Sequence, residues 1–304
     1  MSDVIDHKLY AVLETVRGIT PATPAMATVR HSSCNLGLSK ETFRSEEIHT
    51  TRELKDFRHG NRQVGGEFGF ELSYGTYDQF LEALLMGTWT ANVLKVGTTR
   101  RQFSITRNFT DQSGGSNPFH RFTGCEFNKL SLKLVAGKIT TGSFGMLGKN
   151  VVFEPSIFAG STFPAATTST VMDGFTGSLT VDGVASLAFT ELNLNFENGL
   201  SPNFALFDDT SQLPSKDICQ VSGDFGLYFE NAFFLTKFLN QAYTDLSFTM
   251  LDGAGKGYTI RLPKLSLTGG QPDVSGKGSI MLKVPFQAVY DATTTASVII
   301  TRIP

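Results

Sequence analysis

Cysteine and long apolar runs are both scarce in this chain, and each scarcity argues against a class of protein. The three cysteines, Cys34, Cys125 and Cys219, cannot all pair within one chain, which argues against a disulfide-stapled secreted domain. No local signature marks Cys34 or Cys219 as a nucleophile, so both are interpreted as small apolar packing groups. No basic-then-apolar leader follows Met1, so the sequence predicts a protein made and kept in a reducing cytoplasm. No apolar run approaches the roughly 18–20 residues that span a bilayer, so no membrane association is expected.

A charge surplus and a catalytic constellation are missing as well. The net charge of −2 argues against a general nucleic-acid binder, which usually carries a basic surplus. None of the 5 histidines stands at metal-ligand spacing from another histidine or a cysteine. GAGKG at 253–257 lacks the spacing of a phosphate loop and is predicted to be a hairpin tip, while Asp208, Asp209 and Asp217 lack that of a calcium loop. We therefore predict a structural protein without enzymatic activity, metal or cofactor.

What the chain does have is an internal repeat. The segment NRQVGGEFGF at 61–70 returns as ICQVSGDFGL at 218–227, about half a chain later. The first copy of this motif contains Gln63, Val64, Gly66, Glu67, Phe68 and Gly69. The second contains Gln220, Val221, Gly223, Asp224, Phe225 and Gly226. Only Glu67 changes within this set, and it changes conservatively to Asp224.

The surroundings of the two copies repeat in the same order. A polar stretch precedes each copy, at 41–62 and 197–217, and a short segment with apolar residues at helical spacing follows. An alternating segment and a glycine-containing strand then close each unit. This order predicts a duplicated domain, with an N-terminal arm at 1–25, copy one at 26–155, a linker at 156–171 and copy two at 172–304.

Alternation of apolar and polar residues predicts a mainly β fold, with two tandem antiparallel sandwich or barrel units and one short flanking α-helix in each. Asp182-Gly183 suits the positive φ angles of a two-residue hairpin turn. The segment ELNLNF places Leu192, Leu194 and Phe196 on one face. Pro285 removes a ladder donor, which predicts an edge strand or a bulge there.

The densest charged segment is 41–62, in which both signs are interleaved. From the residues alone, a solvated hairpin loop and a docking surface between subunits remain open alternatives, since alternating charge also fixes register between partners. Its charged residues are Arg44, Glu46, Glu47, Arg52, Glu53, Lys55, Asp56, Arg58 and Arg62.

The run RELKDFRHGNRQVGGEFGFELSYGTYDQFLEALLMGTW at 52–89 resembles the tail tube (major tail) proteins of long, non-contractile-tailed bacteriophages. That family has an arginine-rich loop, a glycine-rich strand, and a helix that ends near Gly-x-Trp, here Gly87 and Trp89. The segment LETVRGITPATPAM at 13–26 is similar to the family's N-terminal arm. The similarity covers most of copy one and thins in copy two.

The resemblance implies a virion protein whose subunits form rings, with inner strands joined into a continuous barrel and a long loop reaching the next ring. That loop maps to 41–62, which favours the docking interpretation. Two units per chain imply a homotrimeric ring with pseudo-sixfold symmetry. The family also implies tail terminator, tape measure and tail-tip proteins as partners, and double-stranded DNA that passes without specific binding.

A conduit for DNA needs a neutral to acidic lumen, because lysine and arginine bind phosphate strongly. Glu67 and Asp224 are candidates for that surface, although strand alternation alone leaves inward and outward facings open. Two other interpretations remain: the inner tube of a contractile injection machine, and a β-rich carbohydrate-binding or enzymatic tail module.

Overall fold

A computed structural model describes residues 3–48, 50–110, 117–185, 189–274 and 278–304. These residues form a mainly β structure with a short 3-10 helix, Val4–Asp6, and two α-helices, α1 (Asp78–Leu85) and α2 (Phe233–Leu239). The mainly β fold with two short α-helices is confirmed.

The strands fall in two series, one in each half of the chain. The first series is β1 (His7–Glu14), β2 (Ala27–Val29), β3 (Ser33–Cys34), β4 (Gly37–Arg44), β5 (Phe57–Glu71), β6 (Val93–Lys95), β7 (Gln102–Phe109), β8 (Phe119–Val135), β9 (Thr141–Gly148) and β10 (Asn150–Glu154). The second is β11 (Gly177–Val181), β12 (Val184–Ala185), β13 (Phe189–Glu197), β14 (Gln220–Tyr228), β15 (Thr244–Leu251), β16 (Gly257–Leu267), β17 (Pro272–Asp273), β18 (Met281–Ala288) and β19 (Ile299–Ile303).

The paired strands of the described residues are antiparallel and belong to two sheets that share the long strand β8. Its first part pairs with β7 and β10, in a sheet ordered β2-β1-β7-β8-β10. Its second part lies in the other sheet, which we call the central sheet, ordered β4-β5-β9-β8-β13-β14-β18. From β18 the central sheet continues through β16 to β15 and β11. The sheet does not close on itself.

The order of pairing in the first half occurs again in the second. The sequence β5-β9-β8-β7 corresponds to β14-β18-β16-β15, and β10 pairs with β8 as β19 pairs with β16. Even a β-bulge recurs, between Phe103 and Ile105 in β7 and between Thr244 and Leu246 in β15.

The two halves meet where β8 pairs with β13, and we call this pairing the seam. Its register runs from Lys129 opposite Glu197 to Val135 opposite Glu191. One continuous hydrophobic core lies behind the seam and draws on both halves. It includes a dense group of rings around Phe144, whose nearest contact is with Phe70 at 4.8 Å between centroids. Burial of such aromatic surface stabilises the fold by about 2 kcal/mol for each side chain.

Helix α1 forms because its apolar residues recur on one face, where Phe80, Leu81, Leu84 and Leu85 are all buried. It ends at Met86, whose left-handed φ of 49° stops the helix. In α2 only Phe234 is buried, so this helix packs more loosely on its sheet. Both helices lie in the segments where the sequence predicts them.

Several local predictions can be compared with the strands. Asp182 and Gly183 have φ values of 50° and 78° and join β11 to β12, so the hairpin turn is confirmed. The GAGKG segment is the tip between β15 and β16, as predicted. Of the two alternatives predicted at Pro285, the edge strand is wrong, because β18 lies between β14 and the strands β16 and β17, and β18 pairs with β14 without a bulge. The proline is accommodated because it faces the break between β16 and β17, where Thr268 N–H donates to its carbonyl at 2.9 Å.

The predicted arm at 1–25 contains β1, which pairs with β7 along its whole length.

Candidate functional site

One face of the central sheet is lined by polar and small side chains, and we call it the polar face. Because side chains alternate between the two faces of a strand, residues directly opposite each other in register share a face. Phe68, Leu130, Leu194 and Phe225 point into the core, so their neighbours in sequence form the polar face. The polar face includes Glu67, Gly69, Glu71, Lys129, Ser131, Lys133, Thr141, Ser143, Gly145, Asn193, Asn195, Glu197, Ser222, Asp224, Lys283 and Gln287.

A row of small neutral residues crosses the middle of this face. Each residue of the row lies opposite the next in successive strands: Gly69, Ser143, Ser131, Asn195, Ser222 and Gln287. The row carries no charge and few long side chains, so the surface is smooth as well as polar. Such a surface offers hydration without fixed charges that hold a ligand.

Two ion pairs join charged groups of the polar face. Lys129 Nζ lies 2.8 Å from a carboxylate oxygen of Glu197, and Lys283 Nζ lies 3.2 Å from Asp224. Asp224 also accepts a hydrogen bond of 2.9 Å from the Asn193 amide. The carboxylates outnumber the amines: the acidic residues are Glu67, Glu71, Glu191, Glu197 and Asp224, and the basic ones are Lys129, Lys133 and Lys283.

The two proposed lumen residues therefore lie on the same face. Glu67 is exposed next to buried Phe68, and Asp224 is half-buried next to buried Phe225. Each occupies the same place in its own half, since Glu67 lies opposite Gly145 of β9 and Asp224 opposite Pro285 of β18.

The repeated motif has the same structural role in both halves. Val64 and Val221 are buried, as are Phe68 and Phe225. Gly66 and Gly223 allow close approach of the next strand: a Cβ on Gly66 would lie 2.7 Å from Leu36 Cα, and one on Gly223 would lie 2.0 Å from the Asn193 carbonyl oxygen. Half-buried Gln63 and exposed Gln220 start the motif, and Gly69 and Gly226 are its last glycines.

The predicted docking segment 41–62 is a β-hairpin rather than an irregular loop. Strands β4 and β5 pair up to Arg44 opposite Phe57, and residues 45–56 form the connection. His49, which the sequence places in this segment, lies outside the described residues. Glu46, Arg52, Glu53, Lys55 and Arg58 are exposed, and Arg58 Nε donates to Asp56 at 3.2 Å.

Arg62, at the base of the hairpin, makes a different contact. Its guanidinium lies 2.6 Å from a carboxylate oxygen of Asp209, and its backbone N–H donates to the Asp209 carbonyl at 2.7 Å. It thus ties the hairpin to the segment 198–217 of the second half instead of standing free for a partner. The pairing with Asp209 raises the pKa of Arg62 and lowers that of Asp209.

Chemistry at the cysteines and carboxylates is that of structural groups. Burial raises the pKa of the Cys219 thiol to about 11 and also raises the pKa values of Cys34 and Cys125, so the thiols are poor nucleophiles. Within the described ranges, no three His, Cys, Asp or Glu side chains are grouped to hold a metal ion. Asp208 accepts hydrogen bonds from Thr210, which lower the pKa of this carboxyl.

Two polar clusters were not predicted from the sequence. In the first, Tyr258 donates to Asp78 at 2.5 Å while Arg302 lies 3.2 Å from the same carboxyl group, and these residues join α1 to the second half. Burial raises the pKa of Asp78, and burial together with the nearby carboxyl raises that of Tyr258. The second cluster contains His7, which lies in β1, and His31, which follows β2. Their partners are far apart in sequence, so no local spacing signals either cluster.

Comparison with protein-family models identifies the chain. In the part of the chain that the structure describes, no helix is both long and apolar enough to cross a membrane. A comparison with curated proteins finds no match. A family model described as phage tail tube protein matches residues 5–288, which is nearly the whole chain. The chain therefore belongs to the phage tail tube protein family, as a structural component of the virion tail.

Proposed function

We propose that three copies of this chain form a ring, and that the rings stack into the tube of a long, non-contractile phage tail. In this proposal the polar face lines the channel through which DNA is ejected into the host. The rings assemble in the host cytoplasm, and tail terminator, tape measure and tail-tip proteins contact the finished tube. The chain itself performs no catalysis.

The observation that carries the proposal is the row of small neutral residues across the central sheet. DNA that moves through a tube must not be held by its wall, and each lysine or arginine contact to phosphate adds to binding. The polar face supports this use because its middle row is uncharged and two of its three lysines, Lys129 and Lys283, are paired with carboxylates. Glu67 and Asp224 keep the remaining charge from becoming basic.

The number of chains in a ring is inferred from the repeated pairing. We take residues 26–155 and 172–304 as two tube units, with 156–171 as the linker and β1 of the N-terminal arm added to the first unit. Each unit contributes the same strand order to the central sheet. Three chains then supply six units, and closing the ring covers the open strand edges that a single chain leaves.

Stacking of the rings is assigned to the hairpin at 41–62. Its connection, residues 45–56, extends beyond the paired strands and carries exposed charges of both signs. Interleaved charge suits a contact that must fix the rotation of one ring against the next. The described residues of the connection, 45–48 and 50–56, are all exposed, so the length of this segment is better explained by a contact outside the chain.

Electron microscopy of the purified protein tests the proposal. We expect rings or tubes whose averages are threefold, with an outline close to sixfold, and a lumen lined by the polar face. A monodisperse monomer that binds glycans would support the carbohydrate-binding alternative instead. A ring of six chains would leave the tube role intact but contradict the duplicated unit, and a strongly basic lumen would contradict the channel assignment.

A further inference from the structure

The central sheet of a single chain has two open edges. On one side, β3 and β4 pair with β5, and no second neighbour is found among the described residues. On the other side, β17 pairs with β18, and no second neighbour of β17 is found among the described residues. Exposed edges of this kind carry unpaired backbone groups and invite another strand.

The seam inside the chain provides a template for joining these edges. Strand β13 pairs with β14 in the same register as β4 pairs with β5. Phe196 lies opposite Val221, and Leu38 lies opposite Val64, the equivalent valine of the repeated motif. Strand β17 pairs with β18 in the same register as β8 pairs with β9. Pro272 lies opposite Leu282, and at the equivalent position Leu132 lies opposite Gly142. Each side of the seam therefore has its counterpart at an open edge.

We propose that residues 33–39 of one chain pair with residues 269–274 of the neighbouring chain in the register of the seam. This inference rests on the proposed ring and specifies its interface. In the seam, Leu194 lies opposite Leu132, and the equivalent pair between chains is Leu36 opposite Pro272. In the same way, Asn195 opposite Ser131 in the seam corresponds to Gly37 opposite Gln271 between chains. Pro272 has no amide hydrogen to donate to the Leu36 carbonyl opposite it. That carbonyl does not need this donor, because it already accepts a hydrogen bond of 2.7 Å from Arg107.

Apolar side chains behind the open edges point to the same partner. Inside the chain, Ile260 and Ile300 lie opposite each other, are buried, and share a cavity with Phe70 and Leu72 of the first half. Their counterparts by strand pairing are His120 and Phe153, which also lie opposite each other.

This counterpart patch is open to solvent. Phe153 is 50% exposed, and its ring packs edge-on against His120 with the centroids 4.7 Å apart. Phe109 extends the patch, with its ring centroid 4.9 Å from that of His120. An aromatic patch at the position that is buried in the second half indicates a surface that a neighbour covers.

A matching groove lies in the second half of the chain. Leu227 and Phe229 are the counterparts of Phe70 and Leu72, since they follow the repeated motif at the same positions. They line an open groove of about 330 Å3, together with Phe233 and Leu282. The aromatic patch and the groove are thus the two sides of one junction that a single chain leaves unfilled, and a second copy of this chain is the partner that carries both.

Disulfide cross-linking tests the register. The in-register variant carries both Gly37→Cys and Gln271→Cys in the same chain, in a background in which Cys34 and Cys219 are replaced by alanine. Paired positions of antiparallel strands have Cα atoms about 4.5–5.5 Å apart, within disulfide reach, whereas a shift of two residues exceeds it. The off-register control is Ser39→Cys with Gln271→Cys. The positive control is Ser131→Cys with Asn195→Cys, which should form a bond inside one chain at the equivalent place in the seam.

The expected result is covalent dimers and trimers from the in-register pair, at least about fivefold more than from the off-register pair. Equal cross-linking of both pairs, or none from either while rings form and the positive control reacts, would overturn the register. If the unsubstituted protein forms no rings at all, the proposed function itself fails, and electron microscopy of that protein distinguishes this case.

A substitution in the aromatic patch gives a second measurement. Phe153→Asp should prevent ring formation, because it places a charge in the junction, while Val152→Asp should leave rings intact. Val152 is the neighbouring position of the same strand, is 40% exposed, and has its side chain on the opposite face. Circular dichroism verifies that both variants are folded. Equal assembly of the two variants would contradict the role of the aromatic patch.

Discussion

At the scale of single residues, the repeated motif is explained by packing rather than by chemistry. Its valines and phenylalanines enter the core, its acidic residue lies on the polar face, and its glycines allow close backbone approach. Gly66 has a φ of 140°, which favours glycine, and Gly223 lies directly against the Asn193 carbonyl. A motif of this composition returns because two strands occupy the same structural position.

The glycine of the second copy gives the first prediction. Gly223→Ala should lower the free energy of unfolding by about 1–3 kcal/mol, because the added methyl group overlaps the Asn193 carbonyl oxygen and the backbone must shift. Denaturant unfolding measures the change. Gly253→Ala is the matched control, since a Cβ there meets no atom within 4 Å, and it should change the free energy by less than about 0.5 kcal/mol. Equal effects would contradict the close-approach argument.

A histidine network near the N-terminus has a defined hydrogen-bonding pattern. Arg107 Nε donates to His7 Nε2 at 3.2 Å, so His7 carries its proton on Nδ1 and donates to His31 Nε2 at 2.8 Å. His31 in turn donates from Nδ1 to the Val29 carbonyl at 3.2 Å. Burial, followed by the charges of His31, Arg107 and His120, lowers the pKa of His7 to about 4.

This low pKa predicts a pH dependence of stability. Unfolded His7 takes up a proton near pH 6.5, whereas the folded residue does so only near pH 4. The unfolded state therefore binds more protons between these values, and stability falls as the pH drops through the window. His7→Gln should reduce this fall by ~1 kcal/mol after allowance for partial exposure, as measured by denaturant unfolding at pH 7 and pH 4.5. Exposed His59→Gln is the control, and an identical fall in both variants would contradict the assignment.

At the scale of elements, the hairpin formed by β4 and β5 separates folding from assembly. Its paired strands join the central sheet, whereas the described residues of its connection, 45–48 and 50–56, are exposed. Exposed charges of this kind contribute little to the stability of a single chain. They are effective between subunits, where interleaved signs fix orientation.

Neutralising the connection should therefore impair tubes without unfolding the chain. Replacing Glu46, Arg52, Glu53 and Lys55 by glutamine should shorten or abolish tubes, as measured by electron microscopy, while the free energy of unfolding changes by less than about 1 kcal/mol. Arg62→Gln is the comparison: it breaks the contact with Asp209 inside the chain and should affect stability more than stacking. Tubes of normal length from the neutralised variant would exclude the connection as the docking element.

At the scale of the whole molecule, the polar face extends across both halves only because the seam joins them. Lys129 of the first half pairs with Glu197 of the second, and the middle row runs through both. The two halves differ in net charge, the first with a positive and the second with a negative surplus. The proposed ring is accordingly threefold in chemistry and close to sixfold in outline.

The sign of the polar face leads to a prediction about DNA. Glu67→Lys should make assembled tubes retain double-stranded DNA, because each ring gains cations that release counterions from phosphate. Retention is measured by sedimentation of tubes with a short duplex, and it should weaken strongly between 50 and 200 mM salt. Glu67→Gln removes the same carboxylate without adding a cation and is the control. If both variants retain the same amount of DNA, Glu67 does not face the channel.

The sequence by itself determined the elements that depend on local pattern. Alternation identified the strand of Leu192, Leu194 and Phe196, helical spacing identified α1 and α2, and Asp182-Gly183 identified a hairpin turn. The repeat and the family resemblance followed in the same way, because they are properties of order along the chain. The match to the phage tail tube protein family likewise depends on the sequence alone.

Only the tertiary structure decided which residues share a surface. Ser131 and Asn195 are neighbours because β8 pairs with β13, and no periodicity within either strand specifies that partner or its register. The same is true of Arg62 with Asp209, and of Pro285, whose missing donor falls at a break in the next strand. Local order is fixed by nearest neighbours along the chain, whereas strand pairing is fixed by the burial of one common core. That core assembles the polar face from both halves.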